Sequence, residues 1–169
     1  QPTQTPDVDK RRMIIDEILS TERQYVGSLQ KSVSVHLNQL RDGKVLDADT
    51  IRSLFGDIEF ILSLNKQLLL ELESIVAKKC CSDGDYCEHK IEQIAELFVR
   101  WAPAFKHYAQ FIIGYPDSRN TFRRLMQNSK EFRMFFDRTK KQLEDEGFRQ
   151  TELLYFLIMP VQRLPRYEF

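Results

Sequence analysis

The stretch that decides the fold is residues 157–167, which read Leu-Ile-Met-Pro-Val-Gln-Arg-Leu-Pro-Arg-Tyr. Apolar residues recur at helical spacing through its first half and just before it, which predicts a helix packed against a core. Pro160 and Pro165 each remove a backbone N–H donor and disfavour a straight helix. The segment is therefore predicted to be a kinked helix, since prolines are a standard cause of kinks.

Three residues of this helix, Ile158, Gln162 and Arg166, are four positions apart and are predicted to share one face. Gln162 offers an amide donor and acceptor, and Arg166 offers a planar fork of donors. The row could bind a polar loop of a partner, or it could be the solvated edge of a core helix. Spacing alone favours the solvated edge, because most surface arginines are simply exposed.

Composition limits the classes of function. The chain has 169 residues, which suggests one domain, and 42% of them are hydrophobic, as in a soluble helix-rich protein. Lys and Arg number 25, as do Asp and Glu, and this balance argues against a dedicated binder of nucleic acid or of anionic membranes. No apolar run approaches the roughly 20 residues of a membrane span, and residues 1–6 do not read as a secretory signal.

The cysteines are Cys80, Cys81 and Cys87, an odd number in one short segment. A disulfide framework is therefore not expected, and a reduced cytosolic setting is favoured. With His89 they form a cluster that could suggest zinc, but structural zinc sites usually pair ligands two to four residues apart. The sequence predicts a polar loop between helices here, with no metal and no cofactor.

A stripe of residues spaced by three and four predicts one long helix over residues 11–40. Two polar residues interrupt the stripe. His36 is expected to be a hydrogen-bonded histidine at the edge of the core. Glu22 is more informative, because burying an unpaired carboxylate is costly. Either the stripe is open to solvent at Glu22, or a partner binds there.

The rest of the chain also reads as helices, with no strand-like alternation, which predicts an elongated antiparallel all-α bundle. The second predicted helix begins at Asp47 or Asp49 and runs to Val76. Three more helices are predicted, over residues 87–113 with a kink at Pro103, residues 118–146, and residues 150–169. Gly43 and Gly147 are expected to end helices, and residues 114–117 are expected to form a break. Residues 1–8 are expected to be a flexible tail, and residues 9–169 one domain.

Residues 118–146 are rich in both basic and aromatic residues, a combination found in proteins that bind single-stranded nucleic acid. The phenylalanines fall at helical spacing, however, and acidic residues dilute the charge. Core packing is the better explanation. We therefore expect no nucleic-acid partner.

Several blocks, in order along the chain, resemble one family. Residues 160–167 (Pro-Val-Gln-Arg-Leu-Pro-Arg-Tyr) are similar to the signature of the Dbl-homology domain, the guanine-nucleotide exchange module for Rho-family GTPases. Residues 17–29, with their Thr-Glu-x-x-Tyr-Val core, resemble its first helix, and residues 97–108 resemble its middle signature. Residues 54–59 also look like this family. The resemblance spans residues 14–169.

The resemblance implies a function without bond chemistry, in which the domain binds switch I and switch II of a Rho, Rac or Cdc-type GTPase and promotes GDP release. Carried over by motif, Glu22 would contact switch I. Gln162 and Arg166 would make polar contacts, with Ile158 and Val161 making apolar contacts beside them. Arg163 would be structural. No catalytic motif is visible in the sequence, so the module is not expected to be an enzyme.

The chain departs from the family by stopping inside the fifth major helix, without the final helix. We expect it to be weak or inactive alone and to self-associate through its truncated end, since exposed apolar surface promotes association. The resemblance predicts a cytoplasmic protein, recruited to membrane or cytoskeleton by domains outside this chain, with no direct membrane binding here. The alternatives are a helical scaffold without exchange activity and a helical enzyme with a cryptic site.

Overall fold

The computed structural model describes residues 6–78 and 83–167, with side chains described for residues 10–78 and 89–167. These residues form α-helices joined by short turns, and they contain no strand, which confirms the all-α class. The α-helices are α1 (Pro6–Lys31), α2 (Asn38–Asp42), α3 (Ala48–Phe55), α4 (Ile58–Ala77), α5 (Asp83–Trp101), α6 (His107–Asn128), α7 (Lys130–Asp145) and α8 (Leu153–Arg163). A π-helical segment spans Ser32–Leu37, and 3-10 helices span Ala102–Lys106 and Leu164–Tyr167. None of the described helices is both long and apolar enough to span a membrane.

The chain divides into two compact units. The first unit comprises residues 1–26 and 63–105, and the second comprises residues 27–62 and 106–169. Helices α1 and α4 each begin in one unit and end in the other.

In the first unit, polar contacts support an apolar core. The Arg23 guanidinium lies 2.7 Å from the Glu73 carboxylate, so it ties α1 to α4. Lys90 of α5 is buried, and its ammonium donates to the carbonyl of Val76 in the last turn of α4. The core residues of this unit are Ile15, Leu19, Tyr25, Val26, Leu64, Leu68, Leu72, Ile75, Ile94 and Leu97.

In the second unit, α6 is the central helix and packs against α3, α7 and α8. An aromatic cluster joins α6 to α7, because the Phe122 ring lies edge-on to Phe132 and Phe136 at centroid distances of 5.9 and 5.4 Å. Helix α8 packs against α6 and the π-helical segment. The core of α8 is therefore built on elements distant from it in the sequence.

Two predicted helix ends are confirmed. The Asp47 carboxylate accepts a 2.8 Å hydrogen bond from the Thr50 N–H, which makes Asp47 the N-cap of α3. Gly147 has a φ of 83° and follows α7, where the Phe148 N–H donates to the Leu143 carbonyl. This bond joins residues five apart and is the 6→1 hydrogen bond of a Schellman motif, in which a glycine commonly takes the left-handed position.

The end of α2 differs in detail from the prediction at Gly43. Gly43 has a φ of −75°, and the left-handed residue is the next one, Lys44, with a φ of 50°. A Cβ at Gly43 would lie 3.0 Å from the Gln39 carbonyl oxygen, which makes glycine suitable there for its size. Glycine therefore suits position 43 by its small size, while Lys44 takes the left-handed conformation.

One predicted helix is two. The segment expected to run unbroken from Asp47 to Val76 is interrupted after Phe55, where Gly56 has φ 51° and ψ −142°. That backbone region is open essentially to glycine alone. The apolar periodicity continues on both sides of the turn, and for this reason the sequence pattern did not show the break.

The break predicted at residues 114–117 is wrong, because α6 continues through Pro116 to Asn128. Tertiary contacts support this stretch. The Ser118 hydroxyl donates to the Leu54 carbonyl, and the hydroxyls of Thr121 and Ser53 lie 2.9 Å apart. Packing against α3 thus outweighs the local cost of proline. The real break comes at Ser129, whose hydroxyl accepts the Phe132 N–H at 3.1 Å and caps α7.

The first predicted helix also changes. It begins at Pro6 and not at Arg11, and proline is well tolerated at a first helical position. It is not α-helical throughout, because the π-helical segment interrupts it before α2. Residues 1–5 of the predicted tail lie outside the described residues.

Candidate functional site

Helix α8 has a clear inner face. The residues that it buries are Leu153, Phe156, Leu157, Pro160 and Arg163. Phe156 belongs to a core cluster with Val35 and Leu143. At the start of the helix, the Lys140 ammonium lies 2.7 Å from the Glu152 carboxylate, and this hydrogen bond raises the pKa of Lys140. Contacts to other elements therefore set which side of α8 faces outward.

The predicted contact residues of α8 lie away from this inner face. Ile158 and Val161 are half-buried, and Gln162 and Arg166 are exposed. Ile158 and Gln162 are one turn apart in α8. Arg166, however, lies in the 3-10 helix, where a turn takes three residues, so the row of three residues predicted from α-helical spacing ends at Gln162.

The two arginines of this stretch have opposite environments. Arg163 is 6% exposed, and its guanidinium carbon lies 4.8 Å from the centroid of the Tyr167 ring. At that distance the planar guanidinium and the ring attract each other. Arg166 is exposed instead. The burial of Arg163 is consistent with the structural role that the resemblance implies, and the partner contact of Arg166 stays a prediction.

Glu22 lies on α1, and its side chain is 0% exposed. The stripe is therefore not open to solvent at this position, which removes one of the two explanations considered from the sequence. Glu22 takes part in an interaction within the chain. Glu22 belongs to the first unit, and the four contact residues at and after α8 belong to the second.

His36 lies in the π-helical segment and departs from its prediction. It is 0% exposed, and neither ring nitrogen has a hydrogen-bond partner among the residues that the structure describes. Its ring packs between two phenylalanines, with centroids 6.3 Å from Phe136 and 5.7 Å from Phe156. Burial lowers the pKa of His36 to about 4, so the ring is neutral at neutral pH. Sequence reasoning expected hydrogen bonds here, and it had no signal for the π-helical segment, whose apolar spacing resembles that of an α-helix.

Two surface cavities flank the turn between α3 and α4, with volumes of about 490 and 330 Å³. They share Arg52, Phe55, Gly56 and Asp57 in their linings. Neither cavity is lined by α8 or by the 3-10 helix after it. The predicted contact residues therefore lie outside both of these cavities.

The cysteine cluster is only partly visible. Cys80 and Cys81 lie outside the described residues, as does the side chain of Cys87. His89 lies on α5, with its Nε2 atom 3.1 Å from the Gln93 amide nitrogen. Among the side chains described, those of residues 10–78 and 89–167, no group of three or more His, Cys, Asp or Glu is placed to hold a metal ion.

Comparison with known proteins now identifies the family. The family model described as the RhoGEF domain matches residues 14–169. The chain belongs to the RhoGEF family. It is a guanine-nucleotide exchange module for Rho-family GTPases, and the scaffold alternative is not favoured.

Curated relatives agree with this RhoGEF assignment. Pleckstrin homology domain-containing family G member 3 of Mus musculus is 32% identical over 155 residues, which cover 91% of this chain and 10% of the relative. Kinase and exchange factor for Rac B of Dictyostelium discoideum is 28% identical over 166 residues, covering 95% of this chain and 14% of the relative. Rho guanine nucleotide exchange factor TIAM2 of Mus musculus is 27% identical over 167 residues, covering 95% and 9%. The RhoGEF chain thus spans a small part of each of these relatives.

A solved structure supports the same fold. In a structure of the Vav1 exchange factor with its PH and C1 domains, the match has a TM-score of 0.80 at 19% identity and covers 94% of this chain and 39% of that one. At this identity the likeness concerns the fold alone. The RhoGEF domain therefore has the expected helical architecture in a solved relative as well.

Proposed function

We propose that this RhoGEF domain binds its GTPase through Gln162, Arg166, Ile158 and Val161, together with Glu22. The observation that carries the proposal is the orientation of α8. Its inner face is held in the core, and Gln162 is exposed beside the half-buried Ile158 and Val161. An apolar patch next to polar groups is the usual anatomy of a protein interface.

The chemistry of the patch suits a polar loop of a protein. Gln162 donates and accepts hydrogen bonds, and the Arg166 guanidinium can engage a carboxylate or backbone carbonyls. The contact between Arg163 and Tyr167 spans the turn between them, and a turn held by such a contact loses less order when a partner binds. The patch is thus prepared for binding before the GTPase arrives.

Glu22 adds a conformational requirement to the proposal. Because its side chain is fully buried in the chain alone, contact with a GTPase needs local movement of the groups that cover it. The GTPase contact then competes with the interaction that Glu22 makes within the chain. Such an exchange of partners lowers the net gain from the contact.

The proposed mechanism is differential binding. The domain binds the nucleotide-free GTPase more tightly than the GDP-bound form, which lowers the barrier to GDP release. By linkage, nucleotide weakens the binding of the exchange domain by the same factor. No bond in the nucleotide is made or broken, so the domain requires no catalytic acid, base or cofactor.

We propose a Rac-type GTPase as the first partner to test, because relatives from Dictyostelium discoideum are named as exchange factors for Rac. We also propose that the domain acts in the cytoplasm. Rho and Cdc-type GTPases serve as the comparison in the same assay.

The test is release of fluorescent GDP from each purified GTPase with and without the 169-residue chain. We expect weak acceleration for at least one GTPase, with at least about a fivefold loss in Gln162→Ala and in Arg166→Ala, since truncating an interface residue that matters for binding costs more than about 1 kcal/mol. Gln67→Ala and Arg149→Ala, at exposed positions of the same residue types, serve as matched controls. Equal losses in the controls, or no loss in the α8 variants, would refute the proposed interface.

A further inference from the structure

A second surface of this domain has a chemistry that exchange does not use. Helix α6 exposes three arginines near its end, Arg119, Arg123 and Arg124, which we call the arginine face. Residues 118–130 contain four cationic residues and no Asp or Glu, with exposed Asp117 and Glu131 on either side, although the chain as a whole has no net charge. The charge of this face is therefore a local feature and not a reflection of overall composition.

The arginine face is not neutralised within the domain. Of the ion pairs formed by the residues described, none includes Arg119, Arg123 or Arg124. Arg119 lies over the Tyr115 ring, with its guanidinium carbon 5.9 Å from the ring centroid, which leaves its charge uncompensated. Three exposed like charges within two helical turns repel one another, so an anionic partner would relieve that repulsion.

The apolar part of the same face is also exposed. Ile113 is 70% exposed and lies three turns before Arg124, on the same side of α6. Pro116 is exposed between them. Helices that lie on the surface of a bilayer combine basic residues with exposed apolar side chains.

The shape of the surface favours a broad partner. The arginine face lies on the outer side of a helix, and neither of the two cavities beside α3 is lined by any of its arginines. A small anion would therefore be enclosed on one side only. A lipid surface presents many anionic headgroups at once, and each basic residue near it adds to binding.

We propose that α6 binds the surface of an anionic lipid bilayer through Arg119, Arg123 and Arg124, with Ile113 entering the headgroup region. This adds a lipid contact to the exchange module, where the sequence led us to expect none. The binding is peripheral and electrostatic, and it is separate from the α8 residues proposed to contact the GTPase.

The test is co-sedimentation of the 169-residue chain with vesicles of phosphatidylcholine alone or of phosphatidylcholine mixed with phosphatidylserine. We expect binding to the mixed vesicles only, and its loss at high salt, because added salt screens charge interactions. Changing all three arginines to alanine should weaken binding about a hundredfold, since each basic residue near an anionic surface contributes about fivefold. Changing all three to lysine should retain binding within about threefold, because the bilayer responds mainly to charge.

The matched control removes three exposed cations elsewhere, in a variant with Lys10→Ala, Lys66→Ala and Arg149→Ala. It should bind the mixed vesicles like the unchanged chain, and GDP release measured without lipid should be unaffected by the arginine changes. The proposal is overturned by equal weakening in the control, by equal binding to neutral vesicles, or by no binding to either. Tighter binding to polyglutamate or to RNA than to the mixed vesicles would also overturn it, in favour of those partners.

Discussion

The guanidinium of Arg163 lies 4.8 Å from the centre of the Tyr167 ring, and this contact spans the junction between α8 and the 3-10 helix that follows. Arg163 is buried, whereas its neighbour Gln162 and the nearby Arg166 are exposed. One arginine thus stabilises the turn that presents the other. Within this one motif, the structure buries Arg163 in the turn and exposes Gln162 and Arg166 on the surface.

The Arg163–Tyr167 contact predicts that Arg163→Lys lowers the free energy of unfolding by about 1 kcal/mol, because lysine keeps the charge but loses the planar stacking. Urea unfolding followed by circular dichroism measures this value. Arg166→Lys is the matched control and should change it by less than about 0.5 kcal/mol, as exposed substitutions usually do. If both variants lose the same stability, the contact has no special role.

Burial of Glu22 predicts different results for two substitutions. Glu22→Ala should reduce both exchange and stability, the latter by about 2 kcal/mol, because it leaves a cavity. Glu22→Gln keeps the volume and removes the charge, so it should lose GDP release while keeping its helical content. Exposed Glu17→Gln on the same helix is the control. Full exchange activity in Glu22→Gln would show that the carboxylate has no part in GTPase binding.

His36 predicts a pH-dependent stability. Burial lowers its pKa from 6.5 to about 4 in the folded chain, so below pH 6.5 the unfolded chain takes up a proton that the folded chain resists. The stability linked to the neutral His36 ring is therefore fully present above pH 6.5. It is lost as the pH falls towards 4, which lowers the free energy of unfolding by up to about 3 kcal/mol.

This pH dependence is measured by urea unfolding at several pH values between neutral and mildly acidic. His36→Leu should flatten the decline, because leucine cannot take up a proton. The exposed His89→Leu should leave the decline as it is. A decline of equal slope in His36→Leu would mean that other groups cause it.

Gly56 predicts a loss of stability when a Cβ is added. Its φ of 51° and ψ of −142° are strained for any other residue, so Gly56→Ala should cost about 1–3 kcal/mol. Gly114→Ala is a control of opposite sign. Gly114 lies inside α6, and a Cβ added there would point into open space, so alanine should raise the stability by about 0.5–1 kcal/mol. Thermal unfolding of both variants checks the pair, and a stabilised Gly56→Ala would contradict the strain.

Much of the α8 surface was predictable from the sequence. The apolar spacing around Leu157 indicated the buried face, and the motif resemblance separated Arg163 from Gln162 and Arg166. The row of three could not be predicted fully, because the spacing assumed an α-helix throughout. The change to a 3-10 helix at Leu164 takes Arg166 out of that row.

Other features depended on contacts that local patterns do not record. Proline at 116 predicted a break, but hydrogen bonds from Ser118 and Thr121 towards α3 accompany a helix that continues through it. At Gly56 the sequence predicted a continuous helix because the apolar spacing continues, but the structure has a turn there. In both cases the competing free energy comes from residues distant in the sequence.

By itself, the sequence determined the helical class, an N-cap at Asp47 or Asp49, the helix end at Gly147 and the family, because periodicity, capping chemistry and motifs are properties of neighbouring residues. Only the tertiary structure decided that Glu22 and Arg163 are buried. It also decided that the His36 ring packs against two phenylalanines, with no hydrogen bond to its nitrogens from the described residues. Burial is a property of what packs over a side chain. It depends on elements brought together from distant parts of the chain, and no local window of the sequence contains them.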